Sequence, residues 1–260
     1  MYKSSATQSQ MLIYLHGGGL IFGQREDLPS EYIELLNNKG YSILALDYLL
    51  APESNLEQII NLLIKTLEWY QNEGYQLAEQ SDPAYYLFGR SAGGYLALQL
   101  ATKMSSEWLK AIINFYGYYK LNDANFIYPN PYHNKAAKVS KELVETFVQS
   151  NPISNGKQNE RYLIYLYCRQ VGNWIDFLTD DPSKFSLTQE QIVQLPPLLL
   201  VHADKDPDVP IQQSKQLNKF ANQSQLIEVA SADHDFDRTN LIKGREVYQQ
   251  VIEWLDSLSN

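Results

Sequence analysis

One serine in the sequence has the surroundings that a nucleophile needs. Ser91 is the central residue of Gly89-Arg90-Ser91-Ala92-Gly93, which lies where an apolar run ends and a helical pattern begins. In a G-x-S-x-G turn the serine occupies a strained strand-to-helix corner that exposes its hydroxyl, and side chains at the two glycines would collide with the crossing elements. An ordinary serine in a glycine-lined turn is the alternative. We interpret Ser91 as a candidate nucleophile of acyl transfer.

A second glycine-rich segment could stabilise negative charge. His16-Gly17-Gly18-Gly19 also follows an apolar run. Consecutive glycines leave backbone N–H groups open to an approaching ligand, and such donors can bind the oxyanion that forms in acyl transfer. A phosphate-binding loop is the alternative, but no Lys-Ser/Thr follows and G-x-G-x-x-G is broken at Phe22. We predict an oxyanion hole formed by the N–H groups of Gly18, Gly19 and Ala92.

The four histidines decide which residue could act as the base. His16 belongs to the glycine segment, where its expected role is to hydrogen-bond and hold the loop. His133 lies among prolines and tyrosines and is interpreted as a surface or cavity-lining residue. His202 ends the apolar run that must deliver the acid, so it cannot follow that acid in the chain order Ser, Asp/Glu, His. By elimination, the candidate base is His234.

Three aspartates compete for the role of the acid that orients this base. Asp204, Asp206 and Asp208 all follow the apolar run Leu198–His202. The segment from His202 to Pro210 follows the pattern H-G-x-x-D-x-x-V-P except at the glycine, where Ala203 stands, and its acid position falls at Asp206. We therefore predict Asp206 as the acid, with Asp204 as the alternative.

Two further acids stand beside the candidate base. Asp235 and Asp237 come shortly before a helical pattern at Leu241–Leu258. Negative charge near a helix N-terminus is favourable, and aspartate is a frequent capping residue. We interpret both as solvated carboxylates at the start of the last helix.

Short apolar runs alternate with amphipathic runs, which is the pattern of strands and helices wound into a parallel sheet. The predicted strands are Met11–Leu15, Tyr41–Leu46, Tyr85–Phe88, Ala111–Tyr116, Leu198–His202 and Leu226–Val229. The predicted helices are Ser30–Asn38, Asn55–Gln71, Ala92–Lys103, Ile211–Phe220 and Leu241–Leu258. We expect one α/β domain over residues 1–260, with a mostly parallel sheet of six to seven strands flanked by helices.

One long segment interrupts this alternation. Between the fourth and fifth predicted strands, about 80 residues are too many for a connecting loop. They contain helical patterns at Lys138–Val148 and Arg161–Phe177, so we predict a helical cap over residues 120–190.

Eight of the nineteen tyrosines lie between positions 116 and 167. Some must pack the cap, but phenol rings over Ser91 would suit a small or aromatic ester. The candidate substrate-binding residues are Tyr116, Tyr118 and Tyr165.

The composition excludes several other classes of protein. The chain has 260 residues, a formal net charge of −9 and a single cysteine, Cys168. One cysteine excludes a disulfide scaffold and a cysteine-rich zinc site. The lack of a basic block argues against nucleic acid as a partner. No apolar run approaches the roughly 20 residues that cross a bilayer, and the polar start lacks a signal-peptide core. We expect a cytoplasmic protein without a membrane partner.

Together these segments resemble serine esterases and lipases of the α/β-hydrolase fold, in particular the hormone-sensitive-lipase-like carboxylesterases. The similarity rests on His16–Gly19, Asp47–Glu53, Gly89–Gly94, Asp206 and His234. It covers about residues 11–118 and 197–258, and not the cap. The resemblance implies that fold, a triad of Ser91, Asp206 and His234, and no metal or organic cofactor.

The chain also departs from the pattern of that family. The family usually has Arg where Leu49 stands, Asp where Arg90 stands, and a D-P-L-x-D-E context around its acid. It also has two strands before the glycine segment, where this sequence shows only fifteen residues. We therefore expect a sheet that is trimmed at that edge and lacks the family's larger N-terminal cap.

From these residues we expect a hydrolase of small carboxylic esters that works through an acyl-enzyme. A peptidase or amidase of the same fold is one alternative, although such enzymes usually carry an additional N-terminal domain. A non-catalytic ligand-binding module on the same scaffold is another, although it would normally show a broken triad. The expected partner is a small-molecule ester, and the sequence leaves the oligomeric state open.

Overall fold

The computed structural model describes residues 1–104 and 107–258. Within that part of the chain, six parallel strands form one sheet in the order β2-β1-β3-β4-β5-β6. The strands are β1 (Gln10–Leu15), β2 (Tyr41–Leu46), β3 (Tyr85–Arg90), β4 (Leu109–Phe115), β5 (Leu198–Ala203) and β6 (Ser224–Val229). The predicted parallel sheet is confirmed, and each predicted strand lies at the expected place with its ends moved by at most two residues.

Helices cover both faces of the sheet. In chain order they are α1 (Ser30–Asn37), α2 (Leu56–Trp69), α3 (Tyr75–Leu77), α4 (Ala92–Lys103), α5 (Ala124–Ile127), α6 (Lys141–Phe147), α7 (Gln158–Val171), α8 (Gln189–Val193), α9 (Gln212–Phe220), α10 (Phe236–Thr239) and α11 (Leu241–Leu258). Among the described residues, no helix combines the length and the apolar character that crossing a membrane requires.

The sheet is buried on both faces because its central strands are apolar throughout. In β1, Met11, Ile13 and Leu15 belong to the core that also contains apolar residues of α2, α4 and the inserted segment. Leu12 and Tyr14 belong to the opposite core, which α1 and α11 complete. Near-continuous apolar strands are what a parallel sheet covered by helices on two sides requires.

The inserted segment is helical, but its helices differ from the predicted ones. Residues 116–197 connect β4 to β5 and contain α5 to α8. The helix expected over Arg161–Phe177 begins at Gln158 and ends at Val171, because Gly172 adopts a left-handed conformation with φ 81° that terminates it. A separate 3₁₀ turn covers Ile175–Phe177. The helix expected over Lys138–Val148 is shorter, since Ser140 caps it at Leu143 N–H.

The edge of the sheet beside β2 carries one short backbone bridge. Tyr2 pairs with Ile43 in the antiparallel sense, with N–H···O distances of 2.8 Å in both directions. The first described strand of the parallel sheet is β1, directly before the glycine segment. Among the described residues, no further strand of the parallel sheet lies beyond β2 at this edge.

Helices α1 and α11 pack so closely that one position admits only glycine. A Cβ at Gly244 would lie 1.9 Å from the hydroxyl oxygen of Tyr32. That hydroxyl donates a hydrogen bond of 2.6 Å to the backbone carbonyl of Asp237, and the Tyr32 ring stacks on Tyr248 at 4.0 Å. The tyrosine is thus held from two sides and has little room to move.

We predict that Gly244→Ala destabilises the protein. In an open helix this change would stabilise by about 1 kcal/mol, but the clash with Tyr32 should reverse the sign and cost about 1–3 kcal/mol. Urea unfolding measures the difference, and Gln249→Ala, at an exposed position of the same helix, is the control. A Gly244→Ala variant more stable than the parent would show that α1 and α11 are not packed this tightly.

Candidate active site

The turn at Ser91 has the strained geometry that its glycines predict. Ser91 has φ 51° and ψ −116°, a conformation that side-chain-bearing residues rarely adopt. A Cβ at Gly89 would lie 2.2 Å from the carbonyl of Gly93, and a Cβ at Gly93 would lie 2.0 Å from the carbonyl oxygen of Leu15. Both positions therefore require glycine, and the Ser91 side chain projects from the end of β3.

The structure brings together Ser91, His234 and Asp206 from three separate segments. Nε2 of His234 lies 2.9 Å from Oγ of Ser91, and Nδ1 of His234 lies 2.6 Å from Oδ2 of Asp206. Both are hydrogen-bond distances, so a hydroxyl, an imidazole and a carboxylate form a continuous chain of hydrogen bonds. Asp204, the alternative acid, is exposed and accepts a hydrogen bond from the Ala232 N–H.

Asp206 is held rigidly by its own loop. Its Oδ1 accepts hydrogen bonds from the backbone N–H groups of Asp208 and Val209, both at 2.8 Å. His202 packs beneath it, with Nε2 3.3 Å from Oδ2 of Asp206 and Nδ1 2.7 Å from the Ser214 hydroxyl. His202, the last residue but one of β5, therefore supports the carboxylate of Asp206.

The charges of Asp206 and His234 shift the pKa values of both groups. Burial alone would raise the pKa of Asp206, but His234 and hydrogen bonds from His202 and His234 lower it to about 2. Burial alone would lower the pKa of His234, but Asp206 raises it. An ionised carboxylate can only accept hydrogen bonds, so Nδ1 of His234 carries the proton that is donated to Asp206. In the neutral ring, Nε2 then accepts a hydrogen bond from the Ser91 hydroxyl.

The glycine segment after β1 lies close to Ser91: a Cβ at Gly17 would be 3.5 Å from the Cβ of Ser91. Gly18 and Gly19 have φ values of 106° and 58°, where glycine has no steric penalty. Within residues 1–104 and 107–258, the backbone N–H groups of Gly18, Gly19 and Ala92 donate no hydrogen bond. His16 supports the segment, as expected: its Nδ1 lies 2.7 Å from the Gly17 carbonyl and its ring stacks on Tyr48 at 4.1 Å.

Side chains of the inserted segment form hydrogen bonds with the backbone of this glycine loop. Trp174 donates from Nε1 to the Gly19 carbonyl at 2.9 Å, and Arg161 donates from Nε to the Ile21 carbonyl at 2.9 Å. Gln158 bonds the N–H and the carbonyl of Gly23 at 2.8 and 3.2 Å. The backbone that carries the candidate oxyanion donors is therefore positioned by residues about 140 positions away in sequence.

A cavity of about 630 Å³ lies between the inserted segment and Ser91. Tyr116 and Tyr165, two of the three candidate substrate-binding tyrosines, line it, together with Tyr132 and Tyr162. The third, Tyr118, is not among the residues that line the cavity: its ring is buried and stacks on Tyr95 at 4.8 Å. Tyr118 lies three residues after the end of β4, where a side chain can point to the core as easily as to a cavity, and spacing alone does not distinguish the two.

Asp237 was expected to be a solvated carboxylate, and this expectation is wrong because the residue is fully buried. Its Oδ1 accepts hydrogen bonds from Arg90 Nη2 at 3.0 Å and from the Tyr116 hydroxyl at 2.7 Å. Nε of Arg90 also donates to the Tyr116 oxygen at 2.8 Å, and the Tyr116 ring lies 4.7 Å from the ring of His234. Arg90, the residue before Ser91, is thus joined by a buried ion pair to Asp237, three residues after His234.

A second buried polar cluster faces the cavity. Asp208 lies 3.0 Å from His133 Nε2 and 3.1 Å from Arg169 Nη2, and it accepts a hydrogen bond of 2.8 Å from the Tyr165 hydroxyl. His133 and Asp208 both line the cavity, which fits the cavity-lining interpretation of His133. The sequence indicated Asp208 only as a competitor for the acid, because its partners come from the inserted segment.

We predict that Asp237→Asn costs about 3–5 kcal/mol of stability, because it leaves the buried Arg90 guanidinium without its main counter-charge. Asp235→Asn is a matched control two residues away, since the Asp235 side chain is 52% exposed and 3.8 Å from Arg90. It should cost less than about 1 kcal/mol. Urea unfolding of both variants gives the comparison, and equal effects would argue against a buried Arg90–Asp237 pair.

Comparisons with known proteins agree with this architecture. A family model described as α/β hydrolase fold matches residues 12–238. A probable carboxylesterase from Phoma sp. is 25% identical over an alignment of 267 positions, gaps included, which covers 93% of this chain and 83% of that protein. Several other curated relatives are longer, and the chain spans only 13% of one and 40% of another.

Two solved structures are similar over nearly the whole chain. A protein with unknown function from Staphylococcus aureus is 29% identical, with a TM-score of 0.90, and the match covers 99% of this chain and 93% of that one. An α/β hydrolase superfamily protein from Enterococcus faecalis is 32% identical, with a TM-score of 0.85 and coverage of 98% and 93%. Because the family match spans most of the sequence, the chain belongs to the α/β hydrolase fold family.

Proposed function

We propose that this protein is a serine hydrolase that cleaves small carboxylic esters through an acyl-enzyme. The observation that carries the proposal is the line of hydrogen-bond distances from Ser91 through His234 to Asp206, 2.9 and 2.6 Å, at the floor of a cavity. The similarity to a probable carboxylesterase supports the same activity.

In the first half of the reaction, Oγ of Ser91 attacks the ester carbonyl carbon while Nε2 of His234 takes its proton. Asp206 keeps the proton on Nδ1 and stabilises the imidazolium that forms. The tetrahedral intermediate then collapses, and His234 returns the proton to the leaving alcohol. A water molecule repeats the attack on the acyl-enzyme, with His234 again as base, and releases the carboxylic acid.

The negative charge of the tetrahedral intermediate falls on the former carbonyl oxygen. The N–H groups of Gly18, Gly19 and Ala92 are the proposed donors to it, and each such donor is typically worth about 3 kcal/mol in the transition state. Since Trp174 and Arg161 hold the loop that carries two of these donors, the donors are oriented before substrate binds.

The cavity favours a compact acyl group. Aromatic side chains of Phe22, Tyr132, Tyr162 and Tyr165 form its walls beneath the inserted segment. Phenol rings offer flat apolar surfaces with polar edges, which suits a short or aromatic group better than a long acyl chain. We therefore propose short-chain or aromatic esters as substrates.

The first test is hydrolysis of p-nitrophenyl acetate by the purified protein and by Ser91→Ala. We expect the parent to be active and Ser91→Ala to lose about 10⁵-fold or more in kcat, because the substitution removes the hydroxyl that would form the acyl-enzyme. Ser257→Ala, at an exposed serine of α11, should behave as the parent. Equal rates for the parent and Ser91→Ala would refute the catalytic proposal, and faster cleavage of p-nitroanilides than of esters would favour an amidase.

The second test compares Asp206→Asn with Asp204→Asn. Asp206→Asn should lower kcat by about 10⁴-fold, because the amide no longer holds the reactive tautomer of His234. Asp204→Asn should retain the parent rate, since that side chain is exposed.

The pH profile provides an independent readout of the same pair. His234 must be neutral to act as base, so activity falls as the pH drops through its pKa. Asp206 raises that pKa, so its removal should move the acidic limb of kcat/KM to lower pH. If the acidic limb of kcat/KM does not move in Asp206→Asn, or if Asp204→Asn loses more kcat than Asp206→Asn, Asp206 is not the acid and Asp204 becomes the candidate.

A further inference from the structure

The buried cluster around Asp208 is a candidate recognition site on the wall of the cavity. Three side chains of the inserted segment contact this carboxylate: His133, Tyr165 and Arg169. The side chains of His133 and Arg169 are 6% and 1% exposed. None of the three is part of the hydrogen-bonded chain Ser91–His234–Asp206, so the proposed reaction gives no role to the cluster that they form with Asp208.

The hydrogen-bonding roles within the cluster follow from the charge of Asp208. Burial alone would raise the pKa of this carboxyl, but Arg169, the hydrogen bond from His133 and nearby His234 hold it well below its usual range. An ionised carboxylate only accepts hydrogen bonds, so Nε2 of His133 and the Tyr165 hydroxyl must both donate to it. In the neutral ring, Nδ1 of His133 is then an acceptor.

The position of the His133 ring is fixed from several sides. The Asn130 side chain accepts hydrogen bonds from the backbone N–H of Tyr132 and His133, at 2.8 and 3.3 Å, and donates to the Pro207 carbonyl at 3.1 Å. Tyr165 packs edge-on against the imidazole at 5.6 Å. Within the described residues, Nδ1 has no hydrogen-bond partner, and His133 lines the cavity.

An oriented acceptor on a cavity wall favours a ligand with a hydrogen-bond donor. We propose that His133 accepts a hydrogen bond from a hydroxyl group of the substrate, and that the substrates are short-chain esters of polyols or sugars. This proposal rests on the proposed ester hydrolysis at Ser91. Tyr132 and Tyr162, partly exposed at the same wall, offer ring faces to the C–H groups of such a polyol.

A cationic group is the competing ligand, because Asp27, Asp208, Asp233 and Asp235 all line the cavity. Asp208 is paired with Arg169, and Asp27 is paired with Arg90 and Arg238 at 3.5 and 2.9 Å. Asp235 lies 3.8 Å from Arg90, and Asp233 is exposed to water, which screens its charge. The test therefore includes a cationic ester.

The test compares glycerol 1-monoacetate with n-propyl acetate, which has the same acyl group and carbon chain but no free hydroxyl. We expect the parent to show a kcat/KM at least about tenfold higher for the monoacetate, because the hydroxyl-free ester leaves the acceptor unpaired. In His133→Phe this ratio should fall to near one. His133→Gln keeps both a donor for Asp208 and an acceptor oxygen, so it should restore most of the preference.

The outcomes separate this proposal from the proposed reaction. If the parent does not hydrolyse p-nitrophenyl acetate, the proposed ester hydrolysis is wrong. The recognition site is judged separately, by the ratio of kcat/KM for glycerol 1-monoacetate to kcat/KM for n-propyl acetate. Equal kcat/KM values in the parent, or a His133→Phe variant that slows both acetates by the same factor, would overturn the recognition site. A higher kcat/KM for acetylcholine than for glycerol 1-monoacetate would replace it with a cation site.

Discussion

The close approach of the Ser91 turn to the end of β1 controls the geometry of the whole site. Gly93 lies so near the Leu15 carbonyl that a Cβ would come within 2.0 Å of its oxygen. Because only glycine permits this contact, the turn after β3 and the glycine loop after β1 are held side by side at the carboxyl edge of adjacent strands. Parallel sheets bind their ligands at that edge, and here both candidate functional segments reach it.

The inserted segment is part of the site as well as its cover. Trp174 and Arg161 bond the carbonyls of the glycine loop, while Tyr165 connects that loop to Asp208 on the β5 loop. The sheet thus supplies the groups proposed for chemistry, and the inserted helices supply both the walls of the cavity and the support for the loop. Sequence changes in these helices should therefore affect substrate choice and reactivity together.

Sequence reasoning succeeded where the controlling physics is local. The six strands follow from apolar runs, and the turn at Ser91 follows from its two glycines, because steric and hydrophobic constraints act over a few residues. It failed for Asp237, which was expected at a solvated helix start and is buried against Arg90, 147 positions away. It also extended α7 past Gly172, since helical periodicity continued beyond the residue that ends the helix.

The sequence by itself determined the parallel sheet, the turn at Ser91 and the short set of residues from which a triad could be drawn. Only the tertiary structure decided which aspartate reaches His234, which tyrosines line the cavity, and that Asp208 is enclosed by His133, Tyr165 and Arg169. The reason is physical: periodicity and glycine placement are read within one segment, whereas an ion pair or a cavity wall depends on distances between segments that folding alone brings together.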